Sequence, residues 1–379
     1  MKMLFFQKSN ISYLTRMKRF NLETVGYCLF ALFFVFQAEV FGSDTCRLCK
    51  RKNELDLTKS FREIYPFTQT QNMGYMSSYR KDDPILFEAN PRVRFSFYFF
   101  LYSHLINTSN ESEKAKKPEV GKAIYAGFNS QLRMYQNNSL PVQMPSYQIV
   151  IGGQFGKLTK GQSHDFKRLY TMSIESGHYS NGQAGCAFAQ GIADESPACD
   201  SVYKTISDKS NLSERLNRID GNFSTNLTRI GLGYRSFKKD SMSCHMIRSW
   251  NFQLEYTLYH DRFWGVFPFG GYTDQDIEIY GAHRFSAKVE WSRVFCNRIT
   301  LVASNEFEYI FGSHPWVNPA RNETRISVFP FPVVPMVGIF VGLYTGHDNY
   351  NFRFVDKGTV FNAGICWSAF QPLKLTNCD

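Results

Sequence analysis

No stretch of this chain is long and apolar enough to cross a membrane as a helix. The one strongly apolar run, Val25 to Phe36, is short for that task and follows the basic pair Lys18 and Arg19. That layout is the h-region of a secretory signal. Convincing helices longer than a turn or two are missing, and nothing repeats at a fixed period, so a bundle or a solenoid is excluded. Zinc spacing is scarce as well. Cys46 and Cys49 form a lone CxxC with no second pair and no nearby pair of histidines, which argues against a structural zinc site. The formal net charge is +10, yet no nucleic-acid motif accompanies it, and an anionic membrane surface suits it at least as well.

What the chain does have is alternation. From Arg92 onward it runs through segments of about ten residues in which apolar and polar side chains alternate, separated by polar turns. The segments are Val93–Ile106, Ala123–Met134, Tyr147–Phe155, Phe166–Ser180, Phe223–Tyr234, Met246–His260, Ala282–Phe295, Arg298–Phe311, Val333–Thr345 and Thr359–Phe370. Phe263–Phe269 and Ile277–Tyr280 complete or extend further strands. Trp250, Tyr256, Tyr259, Trp264 and Trp291 supply aromatics for interfacial girdles. The pattern predicts an all-β protein, an antiparallel transmembrane β-barrel over residues 91–370 with a tail at 371–379. Ahead of it, residues 43–90 lack long alternation and read as an N-terminal periplasmic or plug-like segment. Residues 1–42 read as the signal peptide, cleaved after Gly42 and started at Met17. Nine cysteines include Cys28 in the signal, and the even number left favours disulfides in an exported protein. Cys186 and Cys199 lie in one long loop, where a bridge would stiffen it.

One stretch carries candidate chemistry. Gly177-His178-Tyr179-Ser180-Asn181-Gly182-Gln183 ends the fourth of these segments. Alternate residues of a strand share a face, so His178 and Ser180 point the same way, as a nucleophile and its general base require. Tyr170, Met172 and Ile174 share that face, while Thr171, Ser173 and Glu175 take the other. On the segment that follows the loop, Asn226 shares its side with Ile230, Leu232 and Tyr234, and Arg229 and Arg235 point away. We read the two segments as one hairpin, with Asn226 oriented to hold the imidazole and Asn222 as its rival. The reactive groups then sit on the lipid-facing wall, and the substrate is lipid.

His178-Tyr179-Ser180-Asn181-Gly182-Gln183 with Ser224-Thr225-Asn226 resembles the His-x-Ser-Asn-Gly core of the outer-membrane phospholipase A family. Tyr344-Thr345-Gly346 followed by Tyr350-Asn351 is similar to the penultimate hairpin of that family. Tyr65-Pro66-Phe67 and Val93-Arg94-Phe95-Ser96-Phe97 are similar to its approach to the first strand. The resemblance implies a barrel of about twelve strands in a bacterial outer membrane. It implies a calcium-dependent phospholipase (a carboxylic ester hydrolase) that acts as a homodimer. Ser180 is then the nucleophile, His178 the base and Asn226 the orienting group, with calcium on the carbonyl of Gln183 and on Ser139 from the partner subunit. Three features depart from the family. Gln183 stands where arginine is common. The loop after Ser180 is far longer, with Asp194, Glu195, Asp200 and Asp220 as further oxygen donors, and the chain ends past Phe370. His260-Asp261 and His347-Asp348 read as turn markers. The competing reading is a non-enzymatic barrel, a porin or a structural surface protein, which predicts an open lumen. A lipid A deacylase would carry an acidic third member in place of Asn226.

Overall fold

The computed structural model describes residues 71–77, 85–99, 119–136, 142–160, 166–239, 246–263, 266–267, 270–295, 299–331, 336–350 and 354–367. The expected signal peptide, Ser139 and the tail at 371–379 lie outside them. The strands are β1 (Gln71–Met76), β2 (Ile85–Asn90), β3 (Arg92–Phe99), β4 (Glu119–Tyr135), β5 (Val142–Lys160), β6 (Phe166–Ser180), β7 (Ser224–Lys239) and β8 (Met246–His260). Then come β9 (His283–Phe295), β10 (Ile299–Phe311), β11 (Ala320–Phe329), β12 (Val337–His347) and β13 (Lys357–Trp367). From β4 to β13 each strand pairs antiparallel with the next. The ring closes because β1 pairs with β13, Gln71 opposite Trp367, and β2 pairs with both β1 and β4.

The thirteen segments make twelve staves. β2 and β3 lie end to end along the same edge of β4, β2 opposite Leu132–Tyr135 and β3 opposite Lys122–Asn129. Pro91 sits between them and has no N–H to give to the ladder, so the stave is interrupted there. The expected boundary at residue 91 is therefore corrected. Residues 71–90 contribute wall strands, too short individually for alternation to reveal them. β11 was also missing from the alternating pattern. Ile277–Tyr280, read as strand, belongs to a helix (Asp274–Tyr280) whose capping box is made by Thr273 and Asp276.

Polarity is inverted relative to a water-soluble barrel. On β6, Ile174 is 54% exposed whereas its neighbour Glu175 is 4% exposed. Ile149, Met172, Leu232, Leu254, Val341 and Ile365 likewise cover the outside with apolar surface. Inside, charge is paired. Glu175 takes Arg229 Nη1 at 2.5 Å and the Tyr125 hydroxyl at 2.8 Å, Arg235 meets Glu290 at 3.1 Å, and Arg321 and Arg325 share Glu323. Apart from Arg235, these residues line a polar cavity of about 290 Å³. Such an arrangement is stable only with hydrocarbon around the wall, which makes this a barrel of the outer-membrane type.

The lumen is stopped at the end where β6 finishes. The segment between β6 and β7 folds into a cap with two short helices, α1 (Pro197–Lys204) and α2 (Leu212–Arg215); the helix Asp274–Tyr280 is α3. Cys186 and Cys199 form a disulfide within the cap. Phe188, Leu212, Leu216 and Phe223 of the cap pack with Tyr179, Leu227, Tyr259 and Ile310 from the wall and with Tyr280 and Phe354. Arg218 joins this cap to the β12–β13 connection by two bonds of 2.8 Å to Asp356. Fully buried Arg133 ties the same connection to the wall, bonding Asp348 at 2.6 and 2.8 Å and Glu88 at 2.7 Å. Cys366 is a buried free thiol.

Candidate active site

β6 and β7 pair without a break from Phe166 opposite Lys238 to Ser180 opposite Ser224. This register places His178 directly across from Asn226 and puts both side chains on the outer wall. They meet: His178 Nδ1 lies 3.0 Å from Asn226 Oδ1. The amide is held from its other side, since Asn226 Nδ2 donates to the carbonyl of Asp261 at 3.1 Å. With its nitrogen committed to a carbonyl, the amide turns its oxygen to the imidazole. An oxygen there accepts, so Nδ1 carries the proton and Nε2 keeps its lone pair. The neutral histidine is thereby set in the tautomer a general base needs.

Ser180 follows two residues along β6 on the same face, half-buried like His178. Its hydroxyl has no side-chain hydrogen bond among the described residues. Hydrogen bonds of this kind are often long without substrate and tighten in the complex. Beyond Ser180, Asn181 is 1% exposed and continues the pairing by one step. Its backbone N–H donates to the Phe223 carbonyl at 3.0 Å, and its Oδ1 accepts from Phe223 N at 3.0 Å and Gln183 N at 3.3 Å. Its Nδ2 donates to the Gly221 carbonyl at 2.7 Å. The chain then turns through Gly182, whose φ of 67° only glycine adopts freely. Asn181 and Gly182 thus fix how the chain leaves Ser180, a structural role for two residues of the motif.

Gln183 stands in that turn, and its carbonyl takes no hydrogen bond among the described residues. A carbonyl is a hard oxygen donor of the kind calcium takes, so this position fits the ion. Two acidic residues of the cap are engaged elsewhere. Asp194 accepts from Asn222 Nδ2 at 2.5 Å and Asp220 from Asn217 Nδ2 at 2.7 Å. Asn222 is thereby turned away from His178, which leaves Asn226 as its partner. No group of three His, Cys, Asp or Glu side chains suited to a metal occurs among the described residues. His260, opposite Asn226 on β8, bonds Thr228 Oγ1 at 3.0 Å. His347 is fully buried between the Asn318 carbonyl and Glu308. Both histidines end strands, and neither joins His178. The Asp261 carbonyl and the loop that bears it carry no side-chain signature, and sequence reasoning passed them over.

No protein-family model matches the chain, and no curated protein matches it. Among solved structures it is similar to outer membrane phospholipase A from Escherichia coli, at 12% identity and a TM-score of 0.41, covering 80% of this chain and 93% of that one. A Salmonella typhi outer membrane phospholipase dimer with bound calcium gives 12% identity and a TM-score of 0.41, covering 81% and 95%. The NanC porin gives 8% identity and a TM-score of 0.35, covering 79% and 98%. Enzymes and a porin appear together, so these likenesses concern the barrel and assign no residue a role. On its own topology and inverted polarity, the chain is a closed, twelve-stave antiparallel β-barrel of the outer-membrane type.

Proposed function

We propose that the protein is a calcium-dependent phospholipase of the bacterial outer membrane, hydrolysing acyl esters of phospholipids with Ser180, His178 and Asn226. The observation that carries this reading is the 3.0 Å bond between His178 and Asn226 on the lipid-facing wall, one alternation from Ser180. His178 Nε2 takes the Ser180 proton as Oγ attacks the ester carbonyl. The imidazolium then returns that proton to the departing lysophospholipid oxygen, and water repeats the cycle on the acyl-enzyme. Asn226 is neutral, so it orients the ring but stabilises the imidazolium less than a carboxylate does. The Gln183 carbonyl and Ser139 of a partner subunit are the proposed calcium ligands. If bound by these ligands, the ion would supply Lewis-acid polarisation of the ester carbonyl. Activity as a homodimer belongs to the same reading.

The competing porin loses ground to the apolar cap, which fills the end of the lumen at β6. The test compares calcium-dependent release of fatty acid from phospholipid micelles by the refolded protein and by Ser180→Ala. Release that needs calcium and disappears in Ser180→Ala supports the proposal. A folded barrel that releases nothing in any lipid, or a Ser180→Ala variant as active as its parent, defeats it. Cross-linked monomers as fast as dimers would remove the homodimer from it.

A further inference from the structure

Both ends of one short connection hold the histidine and its partner. The segment from Asp261 to Gly271 joins β8 to α3. At its start, the Asp261 carbonyl receives Asn226 Nδ2. At its end, the Gly270 carbonyl receives the Ser224 hydroxyl at 2.7 Å. Gly270 itself lies against the imidazole. A β-carbon there would stand 2.7 Å from His178 Cε1, 3.4 Å from Nδ1 and 3.2 Å from Ser224 Oγ. The backbone has φ +60° at that residue, a conformation that side chains disfavour. The two ends are pinched together, because a β-carbon on Gly271 would collide with the Asp261 backbone at 2.1 Å. Tyr272, the next residue, is buried in the cap core, so this end of the connection is anchored.

We infer that Gly270 is a positioning residue for His178, and that the Asp261 and Gly270 backbones together form the clamp fixing imidazole and amide. The inference rests on the reading of His178 as the general base. The Asp261 carbonyl sets which way Asn226 faces, and the flat surface at Gly270 sets where the ring can rotate. Only glycine leaves room for the ring in its present place. Any side chain there pushes the ring away from the line between Ser180 and Asn226.

The test uses the whole protein refolded in detergent, with Gly270→Ala set against Gly312→Ala. Gly312 also has positive φ, 75°, but nothing within 4 Å of its β-carbon position, so it reports backbone strain alone. The first readout is independent of hydrolysis: the ring 15N resonances of His178, assigned by their loss in His178→Asn. Gly270→Ala is expected to shift them and to mix the tautomers, and Gly312→Ala to leave them in place. The second is kinetic. Gly270→Ala is expected to lower kcat by about tenfold or more, as misplacing a catalytic group by under an ångström does, with KM unchanged. Retained heat-modifiable migration on gels checks folding. If Gly270→Ala does not fold, Ser224→Ala releases the same carbonyl without adding volume and is expected to shift the His178 resonances in the same direction. Resonances in the folded variant that match those of Gly312→Ala overturn the clamp, as do unmoved resonances in Ser224→Ala where that variant decides. An inactive parent protein instead defeats the phospholipase reading and leaves the spectroscopic arm to decide the clamp alone.

Discussion

Replacing Asn226 with aspartate isolates what the neutral amide contributes. The change keeps an oxygen 3.0 Å from His178 Nδ1 but adds a full negative charge. At that separation, with an effective dielectric constant of about 20, a carboxylate attracts an imidazolium by about 5 kcal/mol. His178 is half-exposed, and solvent screening reduces this to about 2 kcal/mol. That corresponds to a preference of about 30-fold for the positively charged ring. The other side of the amide opposes the change, because the Asp261 carbonyl loses its 3.1 Å donor and faces an oxygen instead. The cost, about 1 kcal/mol, falls on the connection and on the carboxylate and does not reverse the sign at the ring. The acid limb of the kcat/KM profile for phospholipid hydrolysis should therefore move to higher pH. Asn226→Ala should lower kcat/KM by about 100-fold, through loss of orientation, without the upward shift. A folded Asn226→Asp barrel whose acid limb stays in place would refute the argument that Asn226 acts on the base.

Two further outcomes test the frame around the site. Removing the Cys186–Cys199 bridge, which closes a sequence separation of 13, should ease opening of the cap by about 3 kcal/mol. Hydrogen exchange across residues 186–216 would rise while the wall strands stay protected, and unchanged exchange would contradict the bridge's role. Ile174→Arg, on the outer face in the middle of β6, should destabilise the barrel in lipid vesicles by about 2–4 kcal/mol in urea unfolding. A negligible effect would mean that this face does not meet hydrocarbon.

What the sequence revealed follows from what alternation records. A side chain on β6 or β7 declares its face by parity, so His178, Ser180 and Asn226 could be assigned to the outer wall beside Ile174 and Ile230. β11 was missed because its outer face carries Asn322 and Thr324, which bond Asn305 of β10 across the wall. With polar residues on both faces, Ala320–Phe329 shows no contrast to read. β1 and β2 escaped for want of length, and Pro91 hid that β2 and β3 form one stave. The register places Asn226 opposite His178, whereas Asn222 is drawn to Asp194. The Asp261 carbonyl and the Gly270 contact were beyond reach, since every residue type has a carbonyl and glycine's use here is the space it leaves.

Under the proposed function, the division of the site between two strands has a bearing on when the protein becomes dangerous to its maker. His178 and Asn226 are 48 positions apart in sequence and neighbours only through the β6–β7 ladder. Until that ladder zips to its last rungs, the serine has no oriented base. The zipping in turn needs the wall to be assembled, and the cap beside it is completed by a disulfide that an oxidising compartment provides. Under the proposed function the chain is therefore latent before assembly without any inhibitor. Completion of the wall itself would then switch on the lipid-facing chemistry.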